Sequence, residues 1–188
     1  SDLIVGAGGA DINGNNSGSS YVVFGKTTTT AIELSDVNAG SNGFSINGVT
    51  ATDLSGFSVS NAGDVNGDGL DDVIIGAYGD DPNGESSGAS FVVFGKTTNT
   101  TIELSNVDAG TGGFVINGVS ANDNSGRSVS NAGDINGDGL DDVIIGAYND
   151  DPHAGNTDDG SSFVVYGKTT STSVELSNVE AGTGGFDI

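Results

Sequence analysis

The chain has 188 residues, a length that suits one domain or a few short repeats. Its 26 acidic residues against four Lys and Arg give a formal net charge of −22. That charge excludes a nucleic-acid binder, since binding a phosphate backbone depends on clustered cations, and no apolar run approaches the ~20 residues of a membrane-spanning helix. With no Cys there is neither a disulfide framework nor a thiolate zinc site, so a chain with 33 Gly must be stapled by something else.

Short β-branched runs separated by Gly, Asp, Asn, Ser and Thr predict an all-β chain with helical content near nil. The chain is expected to open at the second strand of a unit, Asp2–Ala7, and Tyr21–Lys26 (YVVFGK) follows it. Four further runs, Gly56–Asn61, Asp72–Ala77, Ala89–Gly95 and Gly113–Gly118, make one complete unit. The segment Thr101–Val107 (TIELSNV) within it reads equally as an extended stretch or a packed loop. The unit then repeats 70 residues on: SVSNAGDVNGDGLDDVIIGAY from Ser58 and its copy from Ser128 differ only at Val65 and Ile135. Phe91–Lys96 (FVVFGK) matches Tyr21–Lys26 at the same offset, and Phe163–Lys168 (FVVYGK) follows 72 later. The two extra residues fall between Asp150 and Ser162, marking a tolerant surface connection.

Four strands per unit suit the blade of a β-propeller. The expected division is a partial first unit over 1–55, a second over 56–125 and a third over 126–188, cut off in its last strand. The first unit lacks its first strand and its Asp-rich loop, leaving Leu3, Ile4 and Val5 as a bare apolar edge. About two and three-quarter blades are too few to close a ring, which takes roughly four to eight. Without Met at position 1, the chain is expected to be an internal piece or a processed product.

The sharpest chemical signal is Asp64-Val-Asn66-Gly-Asp68-Gly69-Leu70-Asp-Asp72, repeated as Asp134, Asn136, Asp138, Gly139, Leu140 and Asp142. Side-chain oxygens at positions one, three, five and nine, with Gly at six for a sharp turn, can wrap a hard cation that prefers six to eight oxygens. The position-seven carbonyl, of Leu70 or Leu140, adds one more. Calcium is the expected ion, because Mg²⁺ does not favour a flexible all-protein cage. Asp-Asn-Gly clusters also form plain turns, but two full copies each leading into DDVIIGA argue for metal. An EF-hand needs a bidentate acid at position twelve and a helix after it, whereas Ile75 and Ile145 stand there, followed by Gly-Ala-Tyr. Asp71 and Asp141 are outer supports or merely exposed, and Ser1-Asp2 aligns with the tail of a further loop.

These residues resemble FG-GAP repeats, the units of integrin α-subunit propellers and of many bacterial secreted and surface proteins. In that family a Gly-x-Ser-Val strand leads into a DxDxDG calcium hairpin and then a strand ending Gly-Ala-Pro. Gly56-Phe-Ser-Val59 and Gly126-Arg-Ser-Val129 match the first, and Asp64–Asp72 and Asp134–Asp142 the second. Ser55 and Ser125 stand where the family has Phe before Gly, and Gly76-Ala-Tyr78 and Gly146-Ala-Tyr148 replace Gly-Ala-Pro. The near-identity of adjacent units resembles bacterial arrays more than an animal receptor. The resemblance implies calcium hairpins on one face and a ligand face on the other. On the latter Asp80, Asp81, Glu85, Asp123, Asp150, Asp151, Asp158 and Asp159 would gather.

Such a face would take a protein or carbohydrate ligand, a basic partner or bridging cations, or serve only to keep the protein soluble. The lone His153 and the lack of a Gly-x-Ser-x-Gly elbow give no catalytic constellation, so no enzyme activity is expected. Lys26, Lys96 and Lys168 recur in each unit, either in blade-to-blade ion pairs or, as expected here, in solvated loops. The expected function is an extracellular, cell-surface adhesion or structural-assembly module stapled by Ca²⁺. The alternatives are a non-catalytic propeller of a larger secreted hydrolase, or a subunit that self-associates through open blade edges into a surface filament.

Overall fold

The computed structural model describes residues 2–151 and 159–188; His153, Asp158 and the connection containing them lie outside the described residues. Three sheets follow one another along the chain. The first is built from β1 (Leu3–Ala7), β2 (Ser19–Val23) and β3 (Gly43–Asn47), after a short helix α1 (Leu34–Asn38). The second holds β4 (Ser58–Gly63), β5 (Asp72–Ala77), β6 (Ala89–Val93) and β8 (Gly113–Asn117). The third repeats it with β9 (Ser125–Gly133), β10 (Asp142–Ala147), β11 (Ser161–Val165) and β13 (Gly185–Asp187). Consecutive strands within each sheet pair antiparallel in matching register: Ile75 faces Phe91 in the second sheet as Ile145 faces Phe163 in the third. These are the blades of an incomplete propeller, and the all-β expectation holds.

The core lies between blades rather than within one. Phe44 and Ile46 pack with Ile75, Phe91 and Val93, while Ile74, Val92, Phe114 and Ile116 pack with Val143, Ile145, Phe163 and Val165. Both faces of the middle blade are therefore covered, which is why all five residues of β6 are buried and FVV reads as a continuous apolar run rather than an alternation. At the open end β1 is the last strand of its sheet, and Leu3 is 62% exposed.

The segment that reads both ways in the sequence is both. Ile102–Glu103 forms a two-residue strand, β7, and Leu104–Asp108 forms a one-turn helix, α2; Val174–Glu175 (β12) and Leu176–Glu180 (α3) repeat the pattern. Three five-residue helices thus correct the expectation of almost no helix. Leu104 and Val107, three apart on one helical face, are fully buried, and a single turn is too short to show a helical period in the sequence. More consequentially, β7 leaves its own blade and pairs parallel with β3 of the blade before it, and β12 does the same with β8.

Glu103 completes that crossing. Its Oε1 accepts from Asn47 Nδ2 at 2.8 Å and its Oε2 from Asn13 Nδ2 at 3.1 Å; Glu175 accepts from Asn117 at 2.8 Å and Asn83 at 3.0 Å. Charge-assisted bonds of this kind outweigh neutral ones. Glu103→Ala is expected to cost about 1–3 kcal/mol in urea unfolding and to remove most of the effect of Asn47→Ala in a double-mutant cycle. Strict additivity of the two substitutions would contradict the clamp.

Two other contacts hold neighbouring blades. Lys96 Nζ lies 4.2 Å from the centroid of the Phe44 ring and Lys168 Nζ 4.2 Å from that of Phe114, each also donating to a carbonyl of its own turn, Thr100 or Thr172. The expected solvated lysines are thus corrected, for Lys96 and Lys168, to cations stacked on the preceding blade, and burial lowers both ammonium pKa values. The guanidinium of Arg127 sits 4.6 Å from the Tyr148 ring centroid, 5.2 Å from Tyr78 and 5.5 Å from Phe57, so the Tyr after Gly-Ala meets a cation in both blades. Gly88, at φ +79°, marks one close approach between blades: a Cβ there would lie 2.1 Å from the Ser125 carbonyl oxygen.

Candidate metal centre

Each Asp-rich loop caps the hairpin between the first two strands of its blade, β4–β5 or β9–β10. The turn is built from side chains that accept the loop's own amides. Asp64 Oδ1 accepts from Gly67 N at 2.8 Å and Asp68 N at 3.0 Å, and Oδ2 from Gly69 N at 2.9 Å. Asn66 Oδ1 accepts from Asp68 N at 2.8 Å, and Asp68 Oδ1 from Leu70 N at 2.9 Å. The Asn66 amide donates to Asp68 Oδ2 at 3.2 Å. Asp134, Asn136, Asp138 and Leu140 make the same bonds at 2.7–3.0 Å. Gly69 at φ +88° and Gly139 at +92° occupy the left-handed region that the sharp turn at position six requires.

Asp72 and Asp142, at position nine, are set apart from the exposed acids. Both are fully buried, and both carboxylate oxygens of each are spoken for. Asp72 Oδ2 accepts from Val65 N at 3.0 Å and Oδ1 from Gly95 N at 2.7 Å; Asp142 accepts from Ile135 N at 2.9 Å and Gly167 N at 2.8 Å. Each thereby ties the hairpin to the exit of the third strand. Asp2 Oδ1 accepts from Gly25 N at 3.0 Å, the same brace in the first unit, as the alignment of Ser1-Asp2 with a loop tail implies. Burial pushes the Asp72 carboxyl up to about 6, and the charges of Asp68 and Asp64 push in the same direction.

The donor set fits a hard cation. Position one, three and five oxygens and the position-seven carbonyl are all oxygen ligands, and a carboxylate oxygen that accepts one N–H keeps a second lone pair. Among the described residues no three acidic or histidine side chains already converge at metal-holding separation, so an ion would have to draw the loop inward. The two hairpins of blades 2 and 3 also touch: Asp141 Oδ2 accepts from Asp64 N at 2.9 Å and Asp141 N donates to Asp64 O at 3.1 Å. Asp141 is an inter-blade link, while Asp71 receives only a long 3.4 Å contact from Asn61.

At the opposite ends of the blades, Asp53 with Asp80 and Asp123 with Asp150 lie beside the strand ends; Gly79 N bonds Asp53 O and Asn149 N bonds Asp123 O. Asp53, Asp123 and Asp150 are buried. Burial pushes Asp80 up to about 6, helped by Asp53, Asp108 and Asp81, and pushes Asp123 up to about 6, helped by Asp150, Asp151 and Glu180. A carboxyl raised in the native state binds its proton more tightly there than in the unfolded chain, so the contribution of these two groups is fully present below the ordinary value near 3.8 and is lost as pH rises through about 6. In chelator, the protein is expected to melt about 2–8 °C higher at pH 5 than at pH 7. A lower melting temperature at pH 5 would contradict this account of the acidic ends.

The family model described as FG-GAP repeat matches residues 55–93 and 125–165, which span β4–β6 with the Asp64 loop and β9–β11 with the Asp134 loop. No curated protein matches the chain.

Proposed function

The chain carries two FG-GAP repeats, and on that premise we propose that it is a calcium-stapled extracellular propeller module for cell-surface adhesion or structural assembly. The observation that carries the reading is the duplicated all-oxygen loop, in which Asp64, Asn66 and Asp68, and again Asp134, Asn136 and Asp138, are drawn round one turn by their own backbone amides. Extended over a formal charge of −22, such loops are costly without a counter-ion, and a cation bound only by the native state stabilises it by mass action. Weak oxygen sites fill where Ca²⁺ is near 10⁻³ M, which favours the outside of the cell. Among the described residues no helix is long and apolar enough to cross a membrane.

Ligands Asp64, Asn66, Asp68, Asp72 and the Leu70 carbonyl would hold the first ion, and Asp134, Asn136, Asp138, Asp142 and the Leu140 carbonyl the second. The ion supplies charge neutralisation and a rigid turn. The acidic loop ends would face a basic protein or a carbohydrate ligand. Calcium titration by calorimetry tests the reading: the wild type is expected to bind two ions in the hairpins, and Asp64→Asn with Asp134→Asn to weaken both by about tenfold or more. Wild-type protein that takes up no calcium at millimolar concentration would end it.

A further inference from the structure

The carboxylates at the loop ends recur from blade to blade, but Asp150 is buried where its counterpart Asp80 is only half-buried. In blade 2, Asp53 Oδ2 accepts from Thr50 N at 2.7 Å and Asp80 Oδ1 from Asp81 N at 2.9 Å. In blade 3, Asp123 Oδ2 accepts from Ser120 N at 2.6 Å, but Asp150, only 5% exposed, keeps its Oδ2 buried with no hydrogen-bond partner. Ser125 Oγ, fully buried at the start of β9 on the same end of the blade, is unpartnered too, as is its counterpart Ser55 one repeat earlier. Ser125 pairs with Ala147, and Asp150 N bonds the Ala147 carbonyl at 3.2 Å, so both orphans flank one strand end.

The charges that bear on Asp123 are those of Asp150, Asp151 and Glu180, all of one sign. An ionised carboxylate buried without a partner is among the most expensive groups a fold can contain, and native proteins pair it or give it to a metal. A hard divalent ion answers both orphans of this strand end, because it takes carboxylate, hydroxyl and carbonyl oxygens without asking for a donor.

We propose that the loop end of blade 3 holds a further divalent-cation site, separate from the hairpins, in which Asp150 and Asp123 are the anionic ligands and Ca²⁺ is the ion. Ser125 Oγ lies on the same end as a neutral oxygen, and water completes the shell. Two carboxylates and a hydroxyl make a sparse donor set, and no group of three acidic or histidine side chains that could hold a metal occurs among the described residues, so the site belongs to the weak class of roughly 10⁻⁴–10⁻³ M.

Equilibrium dialysis against radioactive Ca²⁺ at millimolar free ion tests it. Asp150→Asn, with an unchanged circular dichroism spectrum, is expected to bind one ion fewer per chain than the wild type while both hairpin ions remain. In chelator the same variant is expected to melt a few degrees above the wild type, since the uncompensated charge is gone. An unchanged ion count in Asp150→Asn overturns the proposal and leaves the hairpin reading intact; no bound calcium in either protein overturns both. Crystals of the wild type soaked in Tb³⁺ give a test free of any substitution: an anomalous peak between Asp123 and Asp150 supports the site, and peaks confined to the hairpins refute it.

Discussion

Replacing Asp72 by alanine is expected to destabilise the protein by about 2–5 kcal/mol, the largest effect of any single side chain in the hairpins. The residue is fully buried, and its two oxygens accept from Val65 N and Gly95 N. Alanine leaves both amides without an acceptor, at about 1–3 kcal/mol for each. It also frees the hairpin from the exit of β6, so the Lys96 turn and its stacking on Phe44 lose their anchor. Asp72→Asn separates this role from ion binding. The amide can accept only one of the two N–H groups and turns its own donor toward the other, so a substantial part of the loss should persist in chelator. Chemical denaturation of both variants in chelator checks the assignment. An Asp72→Ala protein as stable as the wild type would show that the brace carries no weight.

The architecture was legible in the sequence because it is written as repetition. Identical runs of DDVIIGA and FVVFGK at a 70-residue offset give the blades before any local propensity is weighed, and the strand at Asp72–Ala77 appears where it is expected. The Asp-rich loops were equally plain, since ligand type and spacing both repeat. What the spacing could not convey is that position nine works as a buried brace. Asp72 looks like its neighbours Asp71 and Asp68 on paper, and only the antiparallel pairing of β5 with β4 and β6 brings Val65 and Gly95 amides to its two oxygens.

The inter-blade clamp was hidden for a different reason. Glu33, Glu103 and Glu175 recur in a chain where Glu is scarce, a signal as regular as the Asp loops. Its meaning is non-local: Glu103 meets Asn13 and Asn47 from the preceding blade, and a two-residue strand such as β7 leaves no alternation to detect. The stacking of the lysines is hidden on the same account. Their partners, Phe44 and Phe114, are apolar residues some fifty positions earlier, and a cation over a ring has no charge pattern to betray it. The twofold buried acids at the loop ends stood in view as acidic residues, but their burial comes from the close approach of neighbouring blades at Gly18 and Gly88.

The effect of divalent ions on stability decides whether the hairpins are staples. At pH 7.4, the melting temperature followed by circular dichroism in excess Ca²⁺ is expected to exceed that in EDTA by about 10–20 °C, if two hairpins each contribute ~2.7 kcal/mol at a hundredfold excess over their dissociation constants. Asp64→Asn with Asp134→Asn should collapse most of that difference. Identical melting curves with and without calcium, in protein that keeps its β spectrum in both, would show that these glycine-rich blades stand on their inter-blade packing alone and that the hairpins are ordinary turns.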